Sequence, residues 1–400
     1  MPRSKCVATV TRLLCWLTAV AVALFTTMGG VATAFALPEH HESGPEVKSP
    51  SATLMDAATG QVLWAKDDHE RRPPASVTKL MTLDLVMEAL ASGQIKLDDM
   101  VTASAYAESW GGTQIWLEAG ERMTVEALLF AVAVRSANDA AVALAEYIAG
   151  SEPGFVTMMN QRAQALGMRD TIYANVHGLP SQEDHLTSAY DQALLARHIV
   201  LSHPEVLKYT STWEYWLRKG QKNEVWLTNT NRGLVEYPGM DGLKTGWTEA
   251  AGYCLIATAQ RDGQRLIAVA LGAPSVKERN RDVYSLLDYG FNNFRSLVVA
   301  RADEPLTRVA VDDGDSATVP VVPQHDVVLT LPRTVKTSVE RRLELPSSLR
   351  APVALGEQVG WLIVLQGNEP LQRMPLVTVA AVEHKSLWQM LVESWRQLWP

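Results

Sequence analysis

The sequence predicts an α/β (α+β) fold, an antiparallel sheet with a helical cluster, followed by a small all-β domain and a C-terminal amphipathic helix. Three observations carry this. Strand-like runs near residues 52–64 and again at 252–271 enclose a middle with helical periodicity. From about residue 300 to 381 the helical period disappears, and short alternating runs lie between Gly, Pro and Asp turns. The last eighteen residues recover a helical period with one apolar face. The expected organisation is 1–36 export signal, 37–50 linker, 51–298 first domain, 299–381 all-β domain and 382–400 terminal helix.

At 400 residues, 47% hydrophobic and 20% charged, the chain has a globular composition and room for more than one core. Disordered and fibrous classes are excluded on that ground. Lys plus Arg number 36 against 44 Asp plus Glu, a net charge of −8 without a basic run, so nucleic acid is not an expected partner. Three cysteines with no C-x-x-C pair supply neither a zinc ribbon nor a disulfide scaffold.

In chain order, Arg3, Lys5 and Arg12 accompany an apolar run from Leu13 to Met28, and Ala34-Phe35-Ala36 fits the small-x-small cleavage rule of an export signal. The rival is an uncleaved anchor, but the run falls short of the ~20 residues a spanning helix needs. Cleavage takes the formal charge from −8 to −11 and leaves Cys254 as the sole cysteine. Residues 37–50 are polar and Pro-containing, a linker by composition. Runs at 52–56 and 61–64 flank Ala57-Ala58-Thr59-Gly60 as a hairpin. From Ser76 to about Ala91 the positions Val77, Leu80, Met81, Leu83, Leu85, Val86 and Leu90 have helical spacing, and Pro73-Pro74 marks the start. Further helices are expected at 124–134, 140–149, 154–166 and 189–202. Strands return at 252–259 and 266–271 around the turn Gln260-Arg261-Asp262-Gly263, and a helix at 276–295 closes the unit.

In the all-β domain, runs at 307–311, 327–331 and 359–364 read as strands. At the end, Leu387, Trp388, Leu391, Val392, Trp395, Leu398 and Trp399 share one helical face, with Lys385, Gln389, Glu393, Arg396 and Gln397 opposite. Three of the twelve tryptophans lie in the last thirteen residues. Too polar to span a bilayer, this helix suits the membrane interface, with its tryptophans at headgroup level. Packing on its own domain, or on a twin subunit in a homodimer, is the alternative.

Three short motifs carry chemistry. Ser76-Val77-Thr78-Lys79 puts Lys79 one helical turn after Ser76, on the same face, so that its amine reaches the hydroxyl. A serine hydroxyl is a weak nucleophile that needs an adjacent base, and a lysine kept neutral by burial or a neighbouring cation can serve. The helix start also offers the Ser76 N–H to an oxyanion. In Ser136-Ala137-Asn138 a second hydroxyl could pass a proton to a leaving group, while the Asn138 amide could hold a substrate carbonyl or the Lys79 amine. Lys244-Thr245-Gly246, beside strands, suits a free carboxylate through its cation and hydroxyl, and Gly246 permits close backbone approach. Singly, each has a bland explanation: helix caps for the serine motifs, a surface lysine before a turn for the third. Their order gives them weight, with sixty residues from Ser76 to Ser136 and a further 108 to Lys244.

This motif set resembles that of the penicillin-binding, active-site-serine acyltransferases. Over nearly its whole length the chain resembles the low-molecular-mass penicillin-binding proteins that are serine-type D-alanyl-D-alanine carboxypeptidases, the penicillin-binding protein 5-like peptidase S11 family. Gly120-Glu121 with Thr124-Val125, Met159-Asn160 with Leu166-Gly167-Met168, Val176-His177-Gly178-Leu179, Thr187-Ser188-Ala189-Tyr190-Asp191 and Leu287-Asp288-Tyr289-Gly290-Phe291 follow in family order. The resemblance implies a penicillin-binding/β-lactamase-like transpeptidase domain in which Ser76 attacks the penultimate D-Ala carbonyl with Lys79 as general base. It places the oxyanion between the N–H groups of Ser76 and Trp247, relays the proton through Ser136 and Lys79, and leaves water to hydrolyse the acyl-enzyme. Asn138, Lys244, Thr245, Gly246 and Trp247 become substrate-binding residues, and His177 and Asp191 positioning residues. No metal or organic cofactor is implied. The implied partners are peptidoglycan stem peptides ending in D-Ala-D-Ala, β-lactams, and the outer surface of the bacterial cytoplasmic membrane.

The chain departs from the family at three places. Ala137 stands where relatives often have Gly, Trp247 is bulky close to substrate, and Pro274 stands where some relatives carry an Arg whose role is either absent here or moved to Lys277 or Arg279. A β-lactamase-like hydrolase and a non-catalytic penicillin-binding sensor are the rival functions. Ala137 in place of an Asp, the extra β-domain and the terminal helix favour the carboxypeptidase.

Overall fold

The computed structural model describes residues 44–335 and 338–398, which divide into one unit of 44–298 with 328–335 and another of 299–327 with 338–398. The expected export signal, the first half of the expected linker and Trp399 lie outside the described residues.

The larger unit begins with the hairpin β1 (Ser51–Asp56) and β2 (Val62–Lys66) and passes through two short ribbons, β3 (Met100–Thr102) with β4 (Arg122–Thr124) and β5 (Glu214–Leu217) with β6 (Val225–Thr228). It then runs into the long strands β7 (Met240–Thr248), β8 (Gly252–Arg261) and β9 (Gln264–Ala273). The five-stranded sheet has the order β2-β1-β9-β8-β7 with antiparallel neighbours throughout, so both ends of the segment meet in one sheet and β7 is left at an edge. The ribbons escaped the sequence reading because three or four residues are too few to show alternation.

The helical middle comprises α1 (Lys79–Ala91), α2 (Asn138–Ala149), α3 (Glu152–Ala165) and α4 (Ala189–Ser202), and α5 (Val276–Asn293) follows the sheet. Helix α1 is buried on nearly every face, including Leu80, Met81, Leu83 and Val86. Such a helix must be apolar all round, and each large side chain contributes roughly 1.5–3 kcal/mol by burial. Its buried charges, Lys79 and Asp84, are therefore conspicuous. Ser151, Ser188 and Ser275 cap α3, α4 and α5 by accepting from the backbone N–H three residues on. Gly150, at φ 76, ends α2.

Three local departures from the sequence reading matter. The helix expected from Ser76 is a tight 3-10 turn over Ala75–Thr78 before α1 begins at Lys79. The helix expected at 124–134 is α-helical only over Val125–Phe130, then widens into a π turn over Ala131–Arg135. Residues 44–50 are no free tether: the N–H groups of Lys48 and Ser49 and the Ser49 hydroxyl donate to the carboxylate of Asp282 on α5. Lys66 Nζ donates to the carbonyls of Val47 and Ser49. Their polarity, which suggested a linker, serves a buried carboxylate.

Beyond α5 come β10 (Phe294–Ala300), β11 (Thr307–Asp312), β12 (Thr318–Pro323), β13 (Val327–Pro332), β14 (Val339–Glu344), β15 (Ser348–Arg350), β16 (Gln358–Gln366) and β17 (Glu369–Thr378). β10 pairs with β13, and the others form a six-stranded sheet in the order β14-β16-β17-β12-β11-β15. In β11 the buried Val309 and Val311 alternate with exposed Arg308, Ala310 and Asp312, the pattern of a half-buried strand. Helix α6 (Leu387–Leu398) ends the described chain with Leu387, Trp388, Leu391 and Trp395 all exposed. Among the described residues no helix is long and apolar enough to cross a membrane.

Candidate active site

Ser76 lies in the 3-10 turn, and Ala75 before it is held at φ 49, a left-handed conformation unfavourable for a residue with a Cβ. The segment 176–179 packs against this turn so closely that a Cβ on Gly178 would collide with the Ala75 carbonyl oxygen. That approach brings in the carbonyl of His177. Lys79 Nζ, fully buried, donates to Ser76 Oγ at 3.0 Å and to the His177 carbonyl at 2.7 Å. Burial, and then the charge of Lys244, hold the Lys79 amine well below its usual value despite the opposing pull of Asp139. The shift favours the neutral amine, the form that can take a proton from a hydroxyl.

The π turn delivers Ser136 at φ 66, ψ 34, a second left-handed residue in this site. Its Oγ is buried and has no hydrogen-bond partner among the described residues. Leaving such a group unpaired costs about 1–3 kcal/mol, so an orphaned hydroxyl at a cavity points to a ligand as its partner. Asn138 ties the second motif to a neighbouring loop. Its Nδ2 donates to the Gly111 carbonyl at 2.7 Å and its backbone N–H to the Thr113 carbonyl at 2.7 Å. The amide nitrogen therefore holds a neighbouring loop. Asp139 completes the attachment by accepting from the N–H groups of Ile115 and Leu117.

Lys244-Thr245-Gly246 lies on the edge strand β7, which has no strand partner on its outer side among the described residues. A Cβ on Gly246 would meet Val77 N at 3.0 Å and Ser76 N at 3.1 Å, so glycine eases the close run of this strand along the serine turn. Lys244 is buried, and its Nζ donates to the Thr245 carbonyl at 3.0 Å. Burial and the Arg279 guanidinium push its amine down to about 7. Thr245 Oγ1 shares a 2.6 Å hydrogen bond with Thr230 Oγ1.

A cavity of about 890 Å³ opens here, lined by the expected residues Ser76, Ser136, Thr245, Gly246 and Trp247. Arg135, Arg232 and Arg279 also line it, with Glu236 as the one acidic residue. Such a wall favours an anionic ligand. Of the two cations proposed to compensate for Pro274, Arg279 reaches the cavity and Lys277 does not. Arg279 is buried, and its guanidinium bonds Asn280 Oδ1 at 3.0 and 2.8 Å.

His177 acts on the site through its backbone carbonyl. Its buried ring accepts from the Leu179 N–H, lies 4.0 Å from the Trp110 ring, and is pushed down to about 3 by burial and the Lys79 charge. Around neutral pH it is an uncharged packing group. Asp191 does not line the cavity: at the start of α4 it accepts from the Asp170 N–H and the Thr171 hydroxyl. Sequence reasoning missed Arg135, Thr230, Arg232 and Asp139. Arg135 and Asp139 immediately flank Ser136-Ala137-Asn138, which was their only signal; Thr230 and Arg232 follow a ribbon too short to be read.

This geometry, a serine with a buried lysine at a cationic cavity on the edge of an antiparallel sheet, defines a penicillin-binding type of serine acyltransferase. Residues 38–275 match the family described as D-alanyl-D-alanine carboxypeptidase, peptidase S11, and residues 294–384 match Penicillin-binding protein 5, C-terminal domain. The D-alanyl-D-alanine carboxypeptidase DacF of Bacillus subtilis (strain 168) is 39% identical over 330 residues, 82% of this chain and 84% of that protein. Penicillin binding protein 5 from Haemophilus influenzae superposes with a TM-score of 0.74 at 32% identity, covering 86% of this chain and 100% of that one. Penicillin-Binding Protein D2 from Listeria monocytogenes, solved in an ampicillin-bound form, gives 0.55 at 31% identity over 62% of this chain and 100% of that one. The chain belongs to the D-alanyl-D-alanine carboxypeptidase family of serine peptidases.

Proposed function

We propose that this protein removes the terminal D-Ala from peptidoglycan stem pentapeptides through an acyl-enzyme on Ser76, and that penicillins acylate the same hydroxyl. The observation that carries the reading is the 3.0 Å contact between Lys79 Nζ and Ser76 Oγ, with the amine held toward its neutral form. Lys79 takes the hydroxyl proton as Ser76 Oγ bonds to the carbonyl carbon of the penultimate D-Ala. The backbone N–H groups of Ser76 and Trp247 receive the oxyanion. Lys79 then returns the proton through the otherwise unpartnered Ser136 hydroxyl to the departing D-Ala nitrogen, and the C–N bond breaks. Lys244 and Thr245 hold the carboxylate of the leaving residue, whose negative charge restores the proton affinity that burial takes from Lys244. Water hydrolyses the ester and regenerates Ser76. The ampicillin-bound relative supports the penicillin arm.

The test is D-Ala release from a peptide ending in D-Ala-D-Ala by the purified chain lacking residues 1–36 and 383–400, abolished by Ser76→Ala. Rapid penicillin hydrolysis with no D-Ala release would contradict the reading in favour of a β-lactamase-like hydrolase. We also infer export to the outer face of the cytoplasmic membrane, with peripheral attachment through the terminal helix. The basic-then-apolar pattern of the first 28 residues and the exposed Leu387, Trp388, Leu391 and Trp395 support this. Trp395→Glu with Trp399→Glu is expected to free the protein from sedimenting vesicles, and unchanged co-sedimentation would contradict the attachment.

A further inference from the structure

Five residues beyond Lys79 on α1, Asp84 carries a fully buried carboxylate whose two oxygens have no hydrogen-bond partner among the described residues. His198 Nε2, from α4, lies 3.4 Å from Asp84 Oδ1. His203, directly after α4, turns a buried Nε2 to the same place; that atom too has no hydrogen-bond partner, and it lies 3.6 Å from Glu88 Oε2. One donor atom from each of Asp84, His198 and His203 falls within 4.8 Å of the other two. Buried polar atoms are nearly always paired, so several orphans converging on one point indicate a water or an ion. Glu88, one turn after Asp84, shares its helix face and lies beside His203, its Oε2 held by Arg162.

We propose that Asp84, His198 and His203 bind a divalent metal ion of the zinc class that fastens α1 to the end of α4. Two imidazoles with carboxylate oxygens suit zinc, whereas calcium and magnesium take oxygen donors. The site is separate from the acylation cavity, since none of these residues lines it. It bears on catalysis only through α1, which begins at Lys79. Arg162 is the competitor. Its Nη1 sits 2.9 Å from His198 Nε2 and its Nη2 2.6 Å from Glu88 Oε2, but Nη1 stays 3.6 Å from Asp84 Oδ2, beyond hydrogen bonding. The guanidinium thus balances charge without satisfying Asp84 or His203. Its side chain is 17% exposed, which gives it a route to solvent when a metal enters.

The test is zinc binding to the full chain stripped with a chelator, followed by titration calorimetry with zinc chloride and by thermal unfolding. One zinc per chain and a raised Tm are expected, with affinity falling at least tenfold in Asp84→Asn and in His203→Gln. Arg162→Gln is expected to bind more tightly, because the competing cation is gone; a merely structural salt bridge would not show this. If Asp84→Asn fails to fold, His203→Gln carries the comparison, since His203 lies outside any helix. No zinc uptake by the parent chain, or uptake unchanged in His203→Gln, would overturn the proposal.

Discussion

Lys79 and Asp84 are both fully buried on α1, yet their surroundings differ in kind. Lys79 donates two hydrogen bonds, at 3.0 and 2.7 Å, one of them to a hydroxyl on a cavity wall. The Asp84 carboxylate has no hydrogen bond among the described residues and faces imidazoles and a guanidinium away from that cavity. Burial moves each toward its neutral form. The Lys79 amine goes down with Lys244 adding to the shift, and the Asp84 carboxyl goes up to about 7 with Arg162 opposing it. A displaced pKa alone therefore does not identify chemistry. What separates the two clusters is a nucleophile within hydrogen-bond reach and a cavity to admit its substrate.

The comparison breaks most severely at the hydroxyl. Ser76→Ala is expected to lower D-Ala release by more than about 10⁴-fold, because the covalent step loses its nucleophile. Residual turnover above that level, measured by D-Ala release, would place the chemistry elsewhere. Next comes the base: Lys79→Met keeps the apolar stem and removes the amine, with an expected loss of about 10²–10⁴-fold in kcat. A kcat within about tenfold of the parent would deny Lys79 that role.

The two lysines also set a pH profile. As pH rises, kcat/KM is expected to climb while Lys79 sheds its proton, then to fall as Lys244 loses the charge that holds the substrate carboxylate, with a limb near the value of about 7. Arg279→Gln removes a cation that depresses Lys244, so the alkaline limb is expected to move to higher pH. An unmoved limb would separate Lys244 from carboxylate binding. The smallest effect belongs to the Asp84 side. Ser188→Ala deletes the cap of α4, the helix that carries His198, with an expected loss of about 1 kcal/mol and kcat unchanged. Thermal unfolding alongside the D-Ala assay checks both halves.

The two clusters also differed in how far they could be read from sequence. The Ser76–Lys79 contact was legible because a three-residue spacing encodes proximity directly, whereas Ser136 and Lys244 were reached only through the order of the motifs. Four strands of the enclosing sheet, β1, β2, β8 and β9, were legible because they are long enough to show their pattern, whereas β7 was not read as a strand. That Asn138 Nδ2 also ties down the Gly111 carbonyl was not legible, because no spacing rule foresees that partner. Thr230 and Arg232 sit after a four-residue strand that leaves no periodic trace. Asp84 is more than a hundred residues from His198 and His203 and meets them only when α4 packs near α1, so no local motif announces the cluster.

The most direct test of the central claim is peptide mapping by mass spectrometry after the protein is mixed with benzylpenicillin and quenched at successive times. The expected result is a penicilloyl adduct on the peptide bearing Ser76, formed more slowly in Lys79→Met and absent in Ser76→Ala. An adduct on another residue, or acylation at the parental rate in Lys79→Met, would contradict the pairing of a serine nucleophile with a neutral lysine base.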